Sequence, residues 1–274
     1  MATSYNRLLL ASEGTEFDVG AERVAVDLAE QWQLRLLAVI PVVSNPEFEV
    51  VAPQLAERAE AAAASHLERL RAVASQRGVE LDGTVRLGET PYLEIVAEAR
   101  ERNADLIVLR RRGKRGFLAN LLVGAMTHTV IGHAPCDVLI VPRAARMWSR
   151  GIVLATDGSV HSARAAEAAA GVALRSSLPV TVVCVLAHPQ DDRGRAMANV
   201  EAATALLRTA GARADGRTAE GKPHEAILDV ARGAHADLIV VGRRGLGGVE
   251  RLLLGSTSER VSGFADCAVL IVRA

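Results

Sequence analysis

The stretch ADLIVVGRRG, at residues 236–245, occurs almost unchanged earlier in the chain as ADLIVLRRRG, at residues 104–113. Two further pairs of segments repeat in the same order: RLLLASEGTE (7–16) with GIVLATDGSV (151–160), and APCDVLIVPR (134–143) with ADCAVLIVRA (265–274). Ordered self-similarity of this kind marks an internal duplication. The chain is therefore predicted to hold two homologous domains, residues 1–146 and 147–274.

The first half is the longer one. The offset between matching segments falls from 144 residues at the first pair to 132 and then 131. The surplus is expected in PVVSNPEFEVVAPQLAERAEAA, residues 41–62, because the equivalent stretch after Val185 is shorter.

Each half alternates strand-like and helix-like segments. ADLIVV and AVLIV are unbroken apolar runs, which suit strands covered on both faces, whereas SARAAEAAAGVALRSS, residues 162–177, is Ala-rich and helical. Such alternation predicts an α/β fold with a parallel sheet and right-handed crossovers. Ligands of such sheets bind beyond the carboxyl ends of the strands.

Composition excludes several classes of function. Thirty-two basic residues balance 32 acidic ones, and aromatic residues make up only 3%, which argues against nucleic-acid binding and against attachment to a membrane surface. No run of 18 apolar residues and no signal-peptide layout is found, so we expect a cytoplasmic protein without membrane insertion. The three cysteines lie in apolar stretches and are expected to be buried thiols, not disulfide or zinc partners.

The glycine-rich stretch GRRGLGGVERLLLGSTS, residues 242–258, directly follows a predicted strand. Its glycines allow a backbone to approach an anion closely. Ser256, Thr257 or Ser258 is expected to cap the next helix, whose N-terminus carries partial positive charge. With Arg243, Arg244 and Arg251, these parts are typical of a polyphosphate cradle. A plain surface loop before a capped helix is the alternative.

Two better-known phosphate motifs do not fit this chain. A G-x-G-x-x-G series starting at Gly245 fails because Glu250 stands at the last glycine position. GRTAEGKP, residues 216–223, has Pro223 where a P-loop needs Ser or Thr, so no hydroxyl is available for magnesium. Pro223 is interpreted as the first residue of a helix.

The spacing Gly242-x2-Gly245-x9-Gly255-Ser256 resembles the G-2x-G-9x-G-(S/T) signature of ATP-binding universal stress proteins. VLATDGS, VTVVCVL and AVLIV resemble the first, second and fifth strands of that family. The resemblance covers both halves. It implies two five-stranded, Rossmann-like α/β/α domains of the adenine nucleotide alpha hydrolase-like type. It also implies that the two halves pair through their closing VLIV strands as an intramolecular pseudo-dimer.

The resemblance also implies which residues of the second half hold ATP, with or without Mg²⁺. Asp157 would face the ribose or a metal, and the backbone of Val185 would meet adenine. The remaining binding residues implied are Ala155, Gly242, Arg244, Gly245, Gly255, Ser256 and Thr257. For Asp157 the alternative is an ordinary turn-and-cap sequence, Asp-Gly-Ser.

The first half departs from this signature at several positions. Glu13 replaces Asp157, Arg110 replaces Gly242 and Ala125 replaces Ser256, while ten residues instead of nine separate Gly113 from Gly124. The first half is therefore predicted to bind ATP weakly or not at all. The basic cluster RRRGKR, residues 110–115, is either a site for another anion or acidic partner, or a solvated loop.

No catalytic or metal-binding residue is assigned. H-E-x-x-H and G-x-S-x-G are absent, and none of the seven histidines lies in the glycine loop. His161 is the nearest and is expected to be solvated; His224 and His235 are expected on the surface. We predict an ATP-binding regulatory module of the stress response. A slow ATPase or adenylyl-transfer enzyme, and a scaffold with structural ATP, remain alternatives. Besides ATP, the partners left open are a second copy of the tandem chain, forming a homodimer, and an unidentified protein.

Overall fold

The structure is a computed structural model that describes residues 4–45, 53–111, 124–245 and 254–274. These residues divide into two compact units. The first unit holds residues 6–111 and Ala125–Arg146, and the second unit holds Met147–Ala274 together with residues 4, 5 and 124.

The first unit is a parallel α/β sheet with helices between the strands. Its strands are β1 (Leu8–Ala11), β2 (Leu36–Val43), β3 (Leu81–Gly88), β4 (Leu106–Arg110) and β5 (Asp137–Val141). Its described helices are α1 (Val19–Trp32), α2 (Pro53–Gln76), α3 (Pro91–Glu101) and α4 (Ala125–His133). The strands run parallel in the order β3-β2-β1-β4-β5.

The second unit repeats this architecture. Its strands are β6 (Ile152–Ala155), β7 (Val180–Leu186), β8 (Ala214–Glu220), β9 (Leu238–Gly242) and β10 (Ala268–Val272). Its described helices are α5 (Val160–Ser176), α6 (Arg193–Thr209), α7 (Pro223–Gly233) and α8 (Ser256–Phe264). The order β8-β7-β6-β9-β10, again parallel, matches that of the first unit and confirms the predicted fold class.

Burial follows the apolar runs of the sequence. Every residue of β9 and β10 is buried, as expected for parallel strands covered on both faces. By contrast, β8 has no buried residue, because it lies last in the strand order of its unit and carries mostly polar side chains.

The extra length of the first unit lies where the sequence placed it. Helix α2 has 24 residues, whereas its counterpart α6 has 17. The segment that leads into α2 includes residues 46–52, which lie outside the described part of the chain.

The strand order of the second unit also locates a place for a ligand. From β6 the chain proceeds through β7 to β8, and then returns to the other side of β6 to form β9 and β10. The crevice beyond the carboxyl ends of β6 and β9 is thus the topological switch point of the unit, where open α/β sheets bind their ligands.

The cysteines correct one expectation. All three are free thiols, but only Cys184 is buried, while Cys136 and Cys267 are half-buried. Each of the two half-buried cysteines lies just before a closing strand, β5 or β10, and not within it.

Candidate nucleotide-binding site

A cavity of about 350 Å³ opens at the carboxyl ends of β6, β7 and β9. All nine residues proposed from the sequence line it, namely Ala155, Asp157, Val185, Gly242, Arg244, Gly245, Gly255, Ser256 and Thr257. Four separate stretches of the chain contribute these residues, and the fold brings them to one place. The volume lies within the usual range for small-molecule sites.

Four apolar residues of the lining were missed by the sequence reasoning: Val183, Pro223, Ile227 and Val241. Val183 could have been found, because residues two apart on a strand share a face, and Val185 was already identified. Pro223 was recognised only as a helix start. It begins α7, and Ile227 lies four residues further along the same helix. Polar residues Thr156, Ser162 and Ser258 complete the lining.

The first turn of α8 faces this cavity without a side-chain cap. The N-cap is Gly255, and no side chain of the described residues caps the helix. The expectation that Ser256, Thr257 or Ser258 would cap it is wrong, because these residues form the first turn itself. The earliest bond of the helix runs from the Glu259 amide to the Gly255 carbonyl at 2.9 Å. The preceding amides of the turn therefore have no acceptor within the helix.

Helix α5, which also begins beside the cavity, is capped by its own sequence. The Ser159 hydroxyl accepts from the Ser162 amide at 3.1 Å, and Asp157 Oδ1 accepts from the Ser159 amide at 3.0 Å. The turn-and-cap interpretation of Asp-Gly-Ser is thus confirmed for one carboxylate oxygen. Asp157 also lines the cavity, so this bond does not remove it from the candidate site.

Two glycines of the loop are required by contacts within the protein. A Cβ at Gly242 would lie 2.9 Å from the His161 carbonyl carbon and oxygen, so a side chain there would collide with the first turn of α5. A Cβ at Gly245 would lie 2.5 Å from Asp157 Oδ2. Packing against α5 therefore also requires a glycine at 242, which is a reason the sequence did not indicate.

The environment of the loop is electropositive. Burial lowers the pKa of the Arg243 guanidinium, and the charges of Arg244 and Arg273 lower it further. Burial, followed by Arg243 and Arg244, also lowers the pKa of His161 below its usual 6.5, while Asp157 acts in the opposite direction. Positive charge close to a helix start that has no side-chain cap favours an anion. Arg251 and the rest of the loop, residues 246–253, lie outside the described residues.

The histidines correct two expectations. His161 is half-buried, not solvated, and its buried Nδ1 has no hydrogen-bond partner among the described residues. His224 is 9% exposed, not a surface residue, and its ring stacks on Phe264 with centroids 5.9 Å apart. His235 is exposed, as expected.

In the first unit, a buried arginine occupies the position equivalent to Gly242. Arg110 is 3% exposed. Its guanidinium donates to Glu13 Oε2 at 2.6 Å, to Asp18 Oδ2 at 3.0 Å and to the Thr15 hydroxyl. Glu13 is the counterpart of Asp157, so the carboxylate at this position of the first unit is already paired with a cation of the protein.

A shift in the helix start accommodates Arg110. At the offset of 144 residues, the counterpart of Val160, the first residue of α5, is Glu16, yet α1 begins at Val19. The turn that replaces the missing helical residues supplies Thr15 and Asp18 to the guanidinium. Residues 112–115 of the basic cluster, Gly113 among them, lie outside the described part of the chain.

Two structural features are absent from the described residues. No group of three or more His, Cys, Asp or Glu side chains is arranged to hold a metal ion. No described helix combines the length and hydrophobicity needed to cross a membrane.

Comparison with known proteins gives one consistent result. Residues 4–142 and 149–273 each match the model of the universal stress protein family. A Thermus aquaticus protein, named as the universal stress protein in the QAH/OAS sulfhydrylase 3' region, is 41% identical over 133 residues, 44% of this chain and 97% of its own length. A universal stress protein of Synechocystis is 28% identical over 185 residues, 68% of this chain and 63% of its own length.

The solved structures agree on the fold. The crystal structure of a universal stress protein from Archaeoglobus fulgidus matches with a TM-score of 0.78 at 21% identity, covering 99% of each chain. At this identity the likeness concerns the architecture, including the tandem arrangement of two similar domains.

Proposed function

This chain belongs to the universal stress protein family, and we propose that its second domain, residues 147–274, binds ATP as a regulatory ligand in the stress response. The observation that carries the proposal is the start of α8, which lies without a side-chain cap in the cavity beside Arg244. A helix N-terminus next to a cation is a general solution for binding phosphate groups.

The rest of the lining supports a nucleotide rather than inorganic phosphate. Val183, Val185, Ile227 and Val241 offer an apolar surface suited to a base. Val185 is half-buried although the residues on either side of it in β7 are buried, so part of it is accessible. Asp157 would accept hydrogen bonds from ribose hydroxyls.

An estimate of affinity is consistent with a filled site in the cell. About five hydrogen bonds to phosphates and ribose contribute roughly 1 kcal/mol each to the binding free energy, and somewhat more when they are charge-assisted. Burial of adenine adds roughly 2–3 kcal/mol. A total of about 7–9 kcal/mol corresponds to a micromolar dissociation constant.

Magnesium would enter with the nucleotide. Asp157 is the single carboxylate among the described residues that line the cavity, and Mg²⁺ usually combines one or two carboxylates with substrate phosphates and waters. The described residues therefore fit Mg–ATP better than a resident metal ion.

We further propose that the first domain, residues 1–146, takes no nucleotide. Arg110 and its bonds to Glu13 and Asp18 fill the position that corresponds to Gly242 and Asp157. A ligand there would have to displace a guanidinium that is already paired with two carboxylates, one of them buried. The expected stoichiometry is one ATP per chain.

A regulatory role is favoured over catalysis. General acid–base catalysis needs a titratable group free to move a proton at the reacting atom. Asp157, whose Oδ1 already accepts the Ser159 amide, is the only described carboxylate of the cavity. Slow ATP hydrolysis or adenylyl transfer stays the alternative, and so does a scaffold with structural ATP. Cytoplasmic location, pairing of the two domains, and binding of a second chain or another protein are likewise proposals.

The test is native mass spectrometry of the full chain with Mg–ATP. We expect a mass increase of one ATP, lost in Gly245→Val, because a side chain at 245 meets Asp157. Gly113→Val, at the equivalent sequence position of the first domain, is the matched control and should keep the ATP. Two bound nucleotides would refute the asymmetry, and none at millimolar ATP would refute the proposal.

Two further assays separate the alternatives. A single-turnover measurement with labelled ATP should give no rate above the uncatalysed background; a faster rate favours the enzyme. If Gly245→Val loses ATP but retains its protein partners in a pull-down, the scaffold is favoured over the regulatory module.

A further inference from the structure

We propose that Ser258 is a positioning residue for nucleotide binding, one that holds residues 243–245, directly after β9, and the start of α8 at the spacing the phosphates need. This inference rests on the proposed function of the second domain. Ser258 lies outside the G-2x-G-9x-G-S signature, and its hydroxyl is directed at the protein backbone.

The hydroxyl of Ser258 bonds to the end of a strand. Its Oγ donates to the carbonyl oxygen of Gly242 at 2.7 Å, and the residue is 6% exposed. Gly242 is the last residue of β9, where it pairs with Val272 of β10. The bond thus ties the first turn of α8 to the sheet at the point where the chain leaves it.

A second bond lies directly beside the first. The amide of Gly255 donates to the carbonyl of Arg243 at 2.9 Å, while the amide of Arg243 donates to the Val272 carbonyl at 2.8 Å. Two successive carbonyls, those of Gly242 and Arg243, are therefore both held by the start of α8. We call this pair of bonds the loop clasp.

The clasp determines the separation of the proposed phosphate contacts. Arg244 and Gly245 follow it on one side, and Ser256 and Thr257 lie within its helical side. The intervening segment, residues 246–253, joins these two sides. Without the Ser258 bond, one of the two bonds of the clasp would be lost, and the anion contacts would be less preorganised. Preorganisation lowers the entropic cost of binding.

The first unit contains an equivalent hydrogen bond. Thr127 Oγ1 donates to the carbonyl of Arg110 at 3.3 Å. Thr127 and Arg110 correspond to Ser258 and Gly242 at the offsets of the repeat. The hydroxyl therefore contributes to the fold in both units, but only in the second should its loss affect a nucleotide. Thr127 also indicates that threonine is compatible with the position.

The test compares variants of the full chain by calorimetric titration with Mg–ATP. Ser258→Ala is expected to raise the dissociation constant about 5- to 10-fold, the value of roughly one hydrogen bond. Ser258→Thr should stay within about twofold of the original protein, because its hydroxyl restores that bond. Thr127→Ala, the matched control in the first unit, should leave the ATP affinity unchanged.

Hydrogen exchange gives a readout that stability alone would not change. Under conditions where each variant is fully folded, Ser258→Ala should speed exchange at the amides of residues 243–245 and 255, while the amides of β6 and β7 remain unaffected. If Ser258→Ala does not fold, Ser258→Val and Ser258→Thr form a second pair, equal in shape and different in the hydroxyl.

The outcomes are distinguishable. If the original protein binds ATP and Ser258→Ala, or Ser258→Val, binds it equally well, the positioning role is refuted while the proposed function stands. If Thr127→Ala weakens ATP as much as Ser258→Ala, the effect is general destabilisation, and the positioning role is again refuted. If the original protein binds no ATP, both proposals fail together.

Discussion

Replacing Arg110 by methionine should destabilise the first unit strongly while leaving ATP binding by the second unit intact. The substitution removes the guanidinium that pairs with Asp18 and Glu13, and it keeps a long apolar side chain at a buried position. The carboxylate of Asp18, which is 1% exposed, would then lie buried without its cation.

The size of the effect follows from what remains around Asp18. Breaking a buried ion pair by removing one partner costs about 3–5 kcal/mol. The lower end is expected, because Asp18 Oδ2 still accepts from the Thr15 amide at 2.8 Å and from its hydroxyl at 2.7 Å. Asp18 Oδ1, however, has no hydrogen-bond partner among the described residues, so no hydrogen bond from them offsets the cost of its burial. Glu13 is 27% exposed, so water compensates it in part and it adds little.

The two tryptophans allow each unit to be followed separately. Trp32 is a buried residue of α1 in the first unit, and Trp148 is a buried residue of the second unit. In a Trp148→Phe background, urea unfolding followed by Trp32 fluorescence should show Arg110→Met lowering the midpoint by about 1–3 M, given a slope of roughly 1–3 kcal/mol per molar urea. In a Trp32→Phe background, Trp148 reports the second unit.

The double variant Arg110→Met/Asp18→Asn serves as the control. Neutralising Asp18 removes the uncompensated charge, so the Trp32 midpoint should recover by more than half of the loss. An Arg110→Met protein whose Trp32 midpoint is unchanged would show that the ion cluster does not stabilise the first unit. A double variant no more stable than the single one would show that lost packing, not buried charge, is responsible.

Three further predictions concern the second unit. Gly242→Ala should lower its stability by about 1–3 kcal/mol through overpacking, because the new methyl meets the backbone of His161; an unchanged thermal midpoint would contradict this. ATP should raise the low pKa of His161, because the phosphates offset the charges of the neighbouring arginines. An NMR titration should show this upward shift, ATP affinity should rise at lower pH, and His161→Asn should remove that rise. A His161 pKa that stays or falls with ATP argues against phosphates at this position. Burial, followed by the Arg260 charge, lowers the pKa of His224, so the contribution of this residue to stability is complete above the unfolded pKa of about 6.5 and is lost as the pH falls below it. The urea midpoint followed by Trp148 fluorescence should therefore be lower at pH 5.5 than at pH 8, and the difference should be smaller in His224→Asn. An equal fall in both proteins would assign the effect to other groups.

Much of the architecture could be predicted because it depends on short-range patterns. The unbroken apolar runs ADLIVV and AVLIV suit buried strands and form β9 and β10 in the structure, and the repeat transfers each assignment from one half to the other. The nine candidate binding residues were implied by the resemblance to universal stress proteins, which rests on the spacing Gly242-x2-Gly245-x9-Gly255-Ser256 and on the strand segments VLATDGS and VTVVCVL. That they line one cavity follows from parallel strands, whose carboxyl ends lie at the same edge of the sheet.

The errors concern residues whose environment is supplied by distant parts of the chain. His224 appeared polar in sequence, but Phe264 of another helix covers its ring. Ser258 looked like a helix cap, but its hydroxyl bonds to a strand 16 residues earlier. In each case the local sequence does not specify which distant group the side chain contacts.

The sequence by itself thus determined the duplication, the strand–helix alternation and the difference between the two glycine loops, since all three are encoded in residue order and spacing. Only the tertiary structure decided what Arg110 does. In sequence it is a bulky residue in place of a glycine; in the fold it is a buried cation paired with Glu13 and Asp18, next to a helix that starts three residues late. Charge burial depends on which groups meet across 92 to 97 residues of chain, and residue spacing alone does not specify those meetings.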